Sequence, residues 1–333
     1  MKKLIAILLT LILVISLAAC AGQDSQDPGN PSVTAGDSSE KKKVVLLMAK
    51  STSPYSGAYF QEFKDYGATL TDIEWIAFDA QSDMTLQSQQ ADEAISMNPS
   101  LICLQPVDSI AAVAVAKKVH DAGIPFVNVN TNVAEDGKQY CEFFYGPDFI
   151  AQGSLLADVA HEALPEGGNF VYLGQESNNE CSRLRLEGFV KRSEEQGYNF
   201  TLLAESPACD WQTEKGKNFM SSFLSTYPGE IDLVYAVDDA VGYGAYQAIN
   251  EDVSGVNENI KLVSIGGCEA NLNAIKEDSR YLATIWLSPT LECDGSMDLI
   301  AEYLNGNKPA EYSNNMPIYA ITGENVDEYK PAY

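Results

Sequence analysis

Apolar runs of four to six residues recur along the chain: Val44–Ala49, Ile73–Phe78, Leu101–Leu104, Phe126–Val129, Phe170–Leu173, Thr201–Ala204, Leu233–Val237 and Leu262–Ile265. They are apolar almost throughout rather than alternating. That is the pattern of parallel strands covered on both faces. Between them lie stretches with helical spacing, among them Thr85–Met97, Ser109–Asp121, Gln152–Ala163 and Arg183–Glu195. Strand–helix alternation predicts an α/β fold of right-handed βαβ units in doubly wound parallel sheets. The series runs twice, once before Gly146-Pro147-Asp148 and again from Asn169, as a repeated architecture without a repeated sequence. Ligands of such sheets bind outside the carboxyl ends of the strands, so the informative residues are those just after each run.

The first residues follow a different pattern. Lys2-Lys3 is a short positive segment, Leu4–Ile15 is almost wholly apolar, and Leu17-Ala18-Ala19-Cys20 follows at once. The apolar stretch is too short to span a bilayer and has the layout of an export signal. Its end resembles the bacterial lipobox, in which cleavage before the Cys leaves a thiol that carries a diacylglycerol. A plain signal peptide with an incidental Cys is the alternative. Residues 1–19 are then a signal peptide, Cys20 the lipidation site, and 20–43 a tether rich in Gln, Asp, Ser, Gly and Pro that buries too little to fold. A diacylglycerol gives stable anchoring, which would hold the protein to the extracytoplasmic face of the cell membrane.

Charge narrows the partners. The chain has 333 residues, 21 Lys+Arg against 47 Asp+Glu, and a net charge of −26. A nucleic-acid surface needs clustered cations, and only Lys41-Lys42-Lys43 is such a run. The two histidines, His120 and His161, sit beside charged neighbours in helical patterns, which supplies neither a His-based triad nor a His-rich metal site. No G-x-S-x-G and no P-loop occurs. Asp238-Asp239 is an acid pair, but adjacent acids after a strand point apart and do not flank one bond as a glycosidase requires. The expectation is a non-enzyme with no cofactor and no metal.

The strand ends carry the candidate chemistry. In the first half they offer Ser53, Tyr55, Gln105, Asn130 and Thr131. In the second half they offer Arg183, Trp211, Asp238, Gly266 and Glu269. Amides, hydroxyls, acids and an Arg suit sugar hydroxyls, and aromatic rings suit the C–H faces of a sugar ring. Each residue has a plainer reading. Ser53, Gln105, Asn130, Thr131 and Asp238 are types that cap helices, and Tyr55 or Trp211 alone reads as core.

These stretches, with several others, resemble the type I periplasmic binding proteins, in their ribose/galactose-binding branch. Ser53-Pro54-Tyr55 resembles the family's polar-Pro-aromatic turn, and Leu104-Gln105-Pro106 its polar-Pro step before a helix. Gly123–Asn130 resembles its "GIPV" strand, Arg183–Phe189 its "RxxGF" helix start, and Ala236–Asp239 with Gly244-Ala245 its "NDxxALGA" step. The resemblance implies two doubly wound lobes joined by three crossovers that act as a hinge. The first lobe would hold 44–147 plus 288–319, and the second 148–287 plus 320–333. It implies that Tyr55 and Trp211 sandwich a sugar ring from opposite lobes. Ser53, Gln105, Asn130 and Thr131 would bond hydroxyls from the first lobe, Arg183 and Asp238 from the second. The implied function is capture of a monosaccharide or small polyol by a monomer that hands it to the permease of an ABC importer. A sensor of the same fold, signalling to a chemoreceptor or kinase, is the alternative. The family's acid-Arg pair after the fourth strand is Asn130-Thr131 here, and its later strand-end Asp is replaced by Gly266-Gly267. Ribose specificity is therefore not implied.

Six cysteines remain besides Cys20. Cys103 and Cys141 read as small core residues of strand runs. Cys181 and Cys209 follow consecutive strands of the second half. They make a candidate disulfide, with free thiols as the alternative.

Overall fold

The computed structural model describes residues 41–333. Cys20, the signal peptide and all but the end of the tether lie outside the described residues. The chain begins with β1 (Lys42–Met48), α1 (Pro54–Gly67), β2 (Ile73–Asp79), α2 (Met84–Ser96), β3 (Leu101–Leu104), α3 (Ala112–Asp121), β4 (Phe126–Val129) and β5 (Phe144–Gly146). It then crosses through Pro147-Asp148 into α4 (Phe149–Ala163), β6 (Gly168–Leu173), α5 (Glu180–Gln196), β7 (Phe200–Glu205), α6 (Thr213–Thr226) and β8 (Leu233–Ala236). The second lobe continues through α7 (Asp239–Glu251), β9 (Lys261–Gly266), α8 (Glu269–Glu277) and β10 (Tyr281–Trp286). Leu287-Ser288 leads back to α9 (Pro289–Leu304) and β11 (Ser313–Asn315), and residues 316–318 return the chain to β12 (Tyr319–Thr322).

Two six-stranded sheets result, in the orders β11-β5-β4-β3-β1-β2 and β12-β10-β9-β8-β6-β7. Every pairing is parallel except that of β12 with β10 at one edge. The central strands are apolar because both faces are covered: Val44 to Met48 are wholly buried, as are Leu233 to Ala236. The edge strands β2 and β7 are only half covered. Strand order reverses between β1 and β3 in the first sheet and between β6 and β8 in the second. At such points the flanking loops part and leave a crevice beyond the carboxyl ends.

Close helix packing fixes one side of that crevice. A Cβ on Gly153 of α4 would lie 1.9 Å from the carbonyl oxygen of Arg185, and one on Gly188 of α5 would lie 2.1 Å from that of Ile150. Only glycine permits this approach. It seats α5 against α4 and sets which face of α5 turns inward. Cys103 is buried in β3 as expected, but Cys141 is half-buried and ends a 3-10 turn rather than lying in a strand.

Candidate functional site

A cleft of about 860 Å³ opens between the carboxyl ends of the two sheets. That size is in the range of small-molecule sites. From the first lobe Ser53, Tyr55, Gln105, Asn130 and Thr131 line it, and from the second Trp211, Asp238, Gly266 and Glu269 do so.

The first-lobe wall is a connected polar network. Gln105 Nε2 and Thr131 Oγ1 each donate to Asn130 Oδ1 at 3.0 Å. Asn130 Nδ2 donates to Glu292 Oε2 at 3.2 Å, and the Tyr55 hydroxyl donates to the same oxygen. Glu292 is wholly buried in the first turns of α9, just past the second crossover. Burial pushes its carboxyl up to about 7, against the two hydrogen bonds and the charge of Arg185. Its Oε1 and Gln105 Oε1 find no partner among the protein atoms, so the network keeps accepting capacity. Ser53 has both roles considered from sequence: its Oγ accepts from Ser56 N at the start of α1, and it borders the cleft. Gln105, Asn130 and Thr131 cap no helix.

The second-lobe wall is set by strained and buried groups. Asp210 and Trp211 both have left-handed backbone, with φ of 51° and 60°. Asn130 across the cleft has φ 64°. Such conformations cost about 1 kcal/mol or more in a bulky residue and gather at functional sites. Asp238 caps α7, its Oδ1 accepting from Val241 N at 2.9 Å, and burial raises its carboxyl to about 6. Asp239 is turned away from it and fully buried, held by Thr284 Oγ1 at 2.7 Å, by Cys268 N at 2.8 Å and by the Ser264 hydroxyl. Lys50 reaches in from the first lobe. Burial lowers its pKa, while Asp210, Asp238 and Glu176 across the cleft oppose the drop.

Arg183 does not belong to the site. It is exposed on α5 and pairs with Glu187 one turn on, at 3.0 Å. Arg185 takes the inward place, 3% exposed, with Nε on Gln152 Oε1 at 2.9 Å and NH1 on the Val237 carbonyl at 2.8 Å. Its guanidinium lies over the Phe149 ring, 5.2 Å from the centroid. Two positions along a helix turn the side chain by roughly 200°, so the two arginines face opposite ways. The Cys181–Cys209 disulfide is likewise absent. Both are free thiols: Cys209 Sγ turns to Ser206 Oγ at 3.4 Å, and Cys181 lines the cleft. The sequence reading also missed Glu292, Gln175 and Tyr333. No strand-end signal marks Glu292, which arrives on a helix more than 150 positions after Asn130. Among the described residues no group of His, Cys, Asp or Glu is placed to hold a metal ion.

A family model described as a periplasmic binding protein domain matches residues 44–308. The chain belongs to that family. Among curated proteins the chain is similar to a ribose import binding protein of Bacillus subtilis (strain 168), 25% identical over 92% of this chain and 95% of that one. A putative rhizopine-binding protein of Rhizobium meliloti is 26% identical over 80% of this chain and 85% of that one. Among solved structures, an ABC transporter solute-binding protein of Bacillus halodurans C-125 with bound myo-inositol superposes with a TM-score of 0.78. It is 27% identical, with 90% of this chain and all of that one covered. The two-lobed fold implied by the resemblance, and the parallel sheets predicted from the alternation of strands and helices, are therefore those of the family, and the cleft lies between the lobes of a periplasmic binding protein.

Proposed function

We propose that the protein captures a monosaccharide or small polyol outside the cytoplasm and presents it to the permease of an ABC importer. One observation carries this reading. The walls of the interlobe cleft combine partnerless buried amide oxygens with aromatic residues from both lobes. Hydroxyls need such acceptors, and the C–H faces of a sugar need such rings. The names of the relatives, which specify ribose and rhizopine, support the same ligand class.

The three crossovers at 147–148, 287–288 and 316–318 make a hinge about which the lobes close on the ligand. Closure joins Tyr55 and Trp211 on either side of it. The ligand leaves unchanged, because the two adjacent acids cannot act as a pair: Asp238 caps a helix and Asp239 is turned to Ser264 and Thr284. A lipid on Cys20 would hold the protein at the outer face of the membrane, a reading that rests on the lipobox alone.

A thermal-shift screen tests the ligand class, using pentoses, hexoses, inositols, linear polyols, small carboxylic acids and amino acids. A ligand that binds only the folded form raises the melting temperature by mass action. The expected result is a rise with a sugar or polyol. A rise only with an acid or amino acid removes the reading.

A further inference from the structure

Resting on the proposed ligand class, we propose that Gln175 and Tyr333 complete the second-lobe wall. The Gln175 amide would bond the ligand's hydroxyls, and the Tyr333 ring would cover its C–H surface beside Tyr55. Gln175 follows β6 at the point where the order of the second sheet reverses, and it lines the cleft. It is 8% exposed, yet neither its Nε2 nor its Oε1 has a partner among the protein atoms. Leaving both ends of a buried amide unbonded costs free energy, so this side chain is built for a partner that the fold itself does not supply.

Tyr333 comes from the far end of the sequence and is placed deliberately. Ala332 N donates to the Gly267 carbonyl at 2.8 Å, and Trp286 Nε1 donates to the Lys330 carbonyl at 3.3 Å. These bonds fasten the segment to the carboxyl ends of β9 and β10. Gly267 has φ 81°, and a Cβ on Gly266 would lie 2.7 Å from the Tyr333 hydroxyl. Gly266, by lacking a side chain, thus makes room for a phenol. Tyr329 packs on the second-lobe core, whereas Tyr333 meets Tyr55 of the first lobe edge-on, with centroids 5.7 Å apart and planes at 90°. An edge-to-face pair keeps ring surface free for a further C–H contact. Both rings line the cleft. Burial, with Asp239 and Asp238 nearby, pushes the Tyr333 phenol well above its ordinary range, so it stays protonated and able to donate.

The test uses the full chain and the sugar or polyol that raises its melting temperature most. Calorimetry should show affinity lowered about tenfold or more by Tyr333→Ala, and by a similar factor by Gln175→Ala, with unliganded melting temperatures close to that of the parent. Tyr333→Phe should retain the contribution of the ring. Affinities of both alanine variants equal to the parent overturn the proposal. So does tighter binding by Tyr333→Ala, which would mean that the ring occupies the ligand's space. A ligand of another class that shifts the parent leaves these two variants to be measured with it, so failure of the sugar reading and failure of this wall are distinguishable. A parent shifted by none of the compounds overturns both.

Discussion

Asn178 Nδ2 donates to Asp108 Oδ2 at 3.1 Å, a bond that spans the mouth of the cleft from the second lobe to the first. Asp108 is fixed at its other oxygen, where Oδ1 accepts from Ile110 N and Ala111 N at 2.9 and 2.8 Å. The bridge therefore ends on an acceptor whose orientation is already set. It is exposed, so its contribution is modest, about 0.5–1.5 kcal/mol. Asn178→Ala should weaken ligand binding about two- to tenfold, mainly through faster dissociation in stopped-flow measurements. Asn178→Asp should weaken it more, by setting two carboxylates face to face. An unchanged dissociation rate in both variants would show that the bridge plays no part in holding the lobes together.

Trp211 lines the cleft from the second lobe, as Tyr55 does from the first. Trp211→Ala should reduce affinity at least about tenfold, since truncating an aromatic anchor removes both area and ring contact. Titration calorimetry with the ligand found by the screen measures this directly. Equal affinity would take Trp211 out of the binding surface.

Glu292 makes stability depend on pH. An unfolded glutamate titrates near 4.5, whereas burial holds this one at about 7. Below 4.5 both states are protonated and the folded state has its full stability. Between 4.5 and 7 the unfolded chain releases a proton that the folded one keeps, so stability falls as pH rises, and it levels off above 7. Glu292→Gln should remove this slope and shrink the loss of melting temperature between pH 5 and pH 8. Asp238 and Asp294, each raised to about 6 by burial, act in the same sense and leave a residual slope. Scanning calorimetry across that range decides it.

The two arginines of α5 should separate sharply. Arg185→Met strands the Val237 carbonyl and Gln152 Oε1 in the interior and should cost about 2–4 kcal/mol. Arg183→Met removes only an exposed pair with Glu187 and should cost less than about 0.5 kcal/mol. Denaturant melts of the two variants provide the comparison.

Lipidation is tested by fractionation. Cys20→Ser should move the exported protein from the membrane fraction to the soluble one, because no thiol is left to carry the diacylglycerol that would anchor it. Retention of the variant at the membrane would assign the anchor elsewhere.

The alternation of buried apolar runs with helical stretches was sufficient to set the two parallel sheets. Strands covered on both faces and helices covered on one leave different periods in the sequence. It also placed Ser53, Tyr55, Gln105, Asn130, Thr131, Trp211, Asp238, Gly266 and Glu269 at one cleft, because every parallel strand ends on the same side. What a strand end does not encode is the rotation of a helix or the return of a distant segment. The inward turn of Arg185 rather than Arg183 was decided by the contact of Gly153 and Gly188 between α4 and α5. The arrival of Glu292 behind Tyr55 and of Tyr333 beside it was decided by chain crossovers that join residues more than 200 positions apart. Local pattern records which face of an element is buried, while partners across the cleft exist only once both lobes have packed.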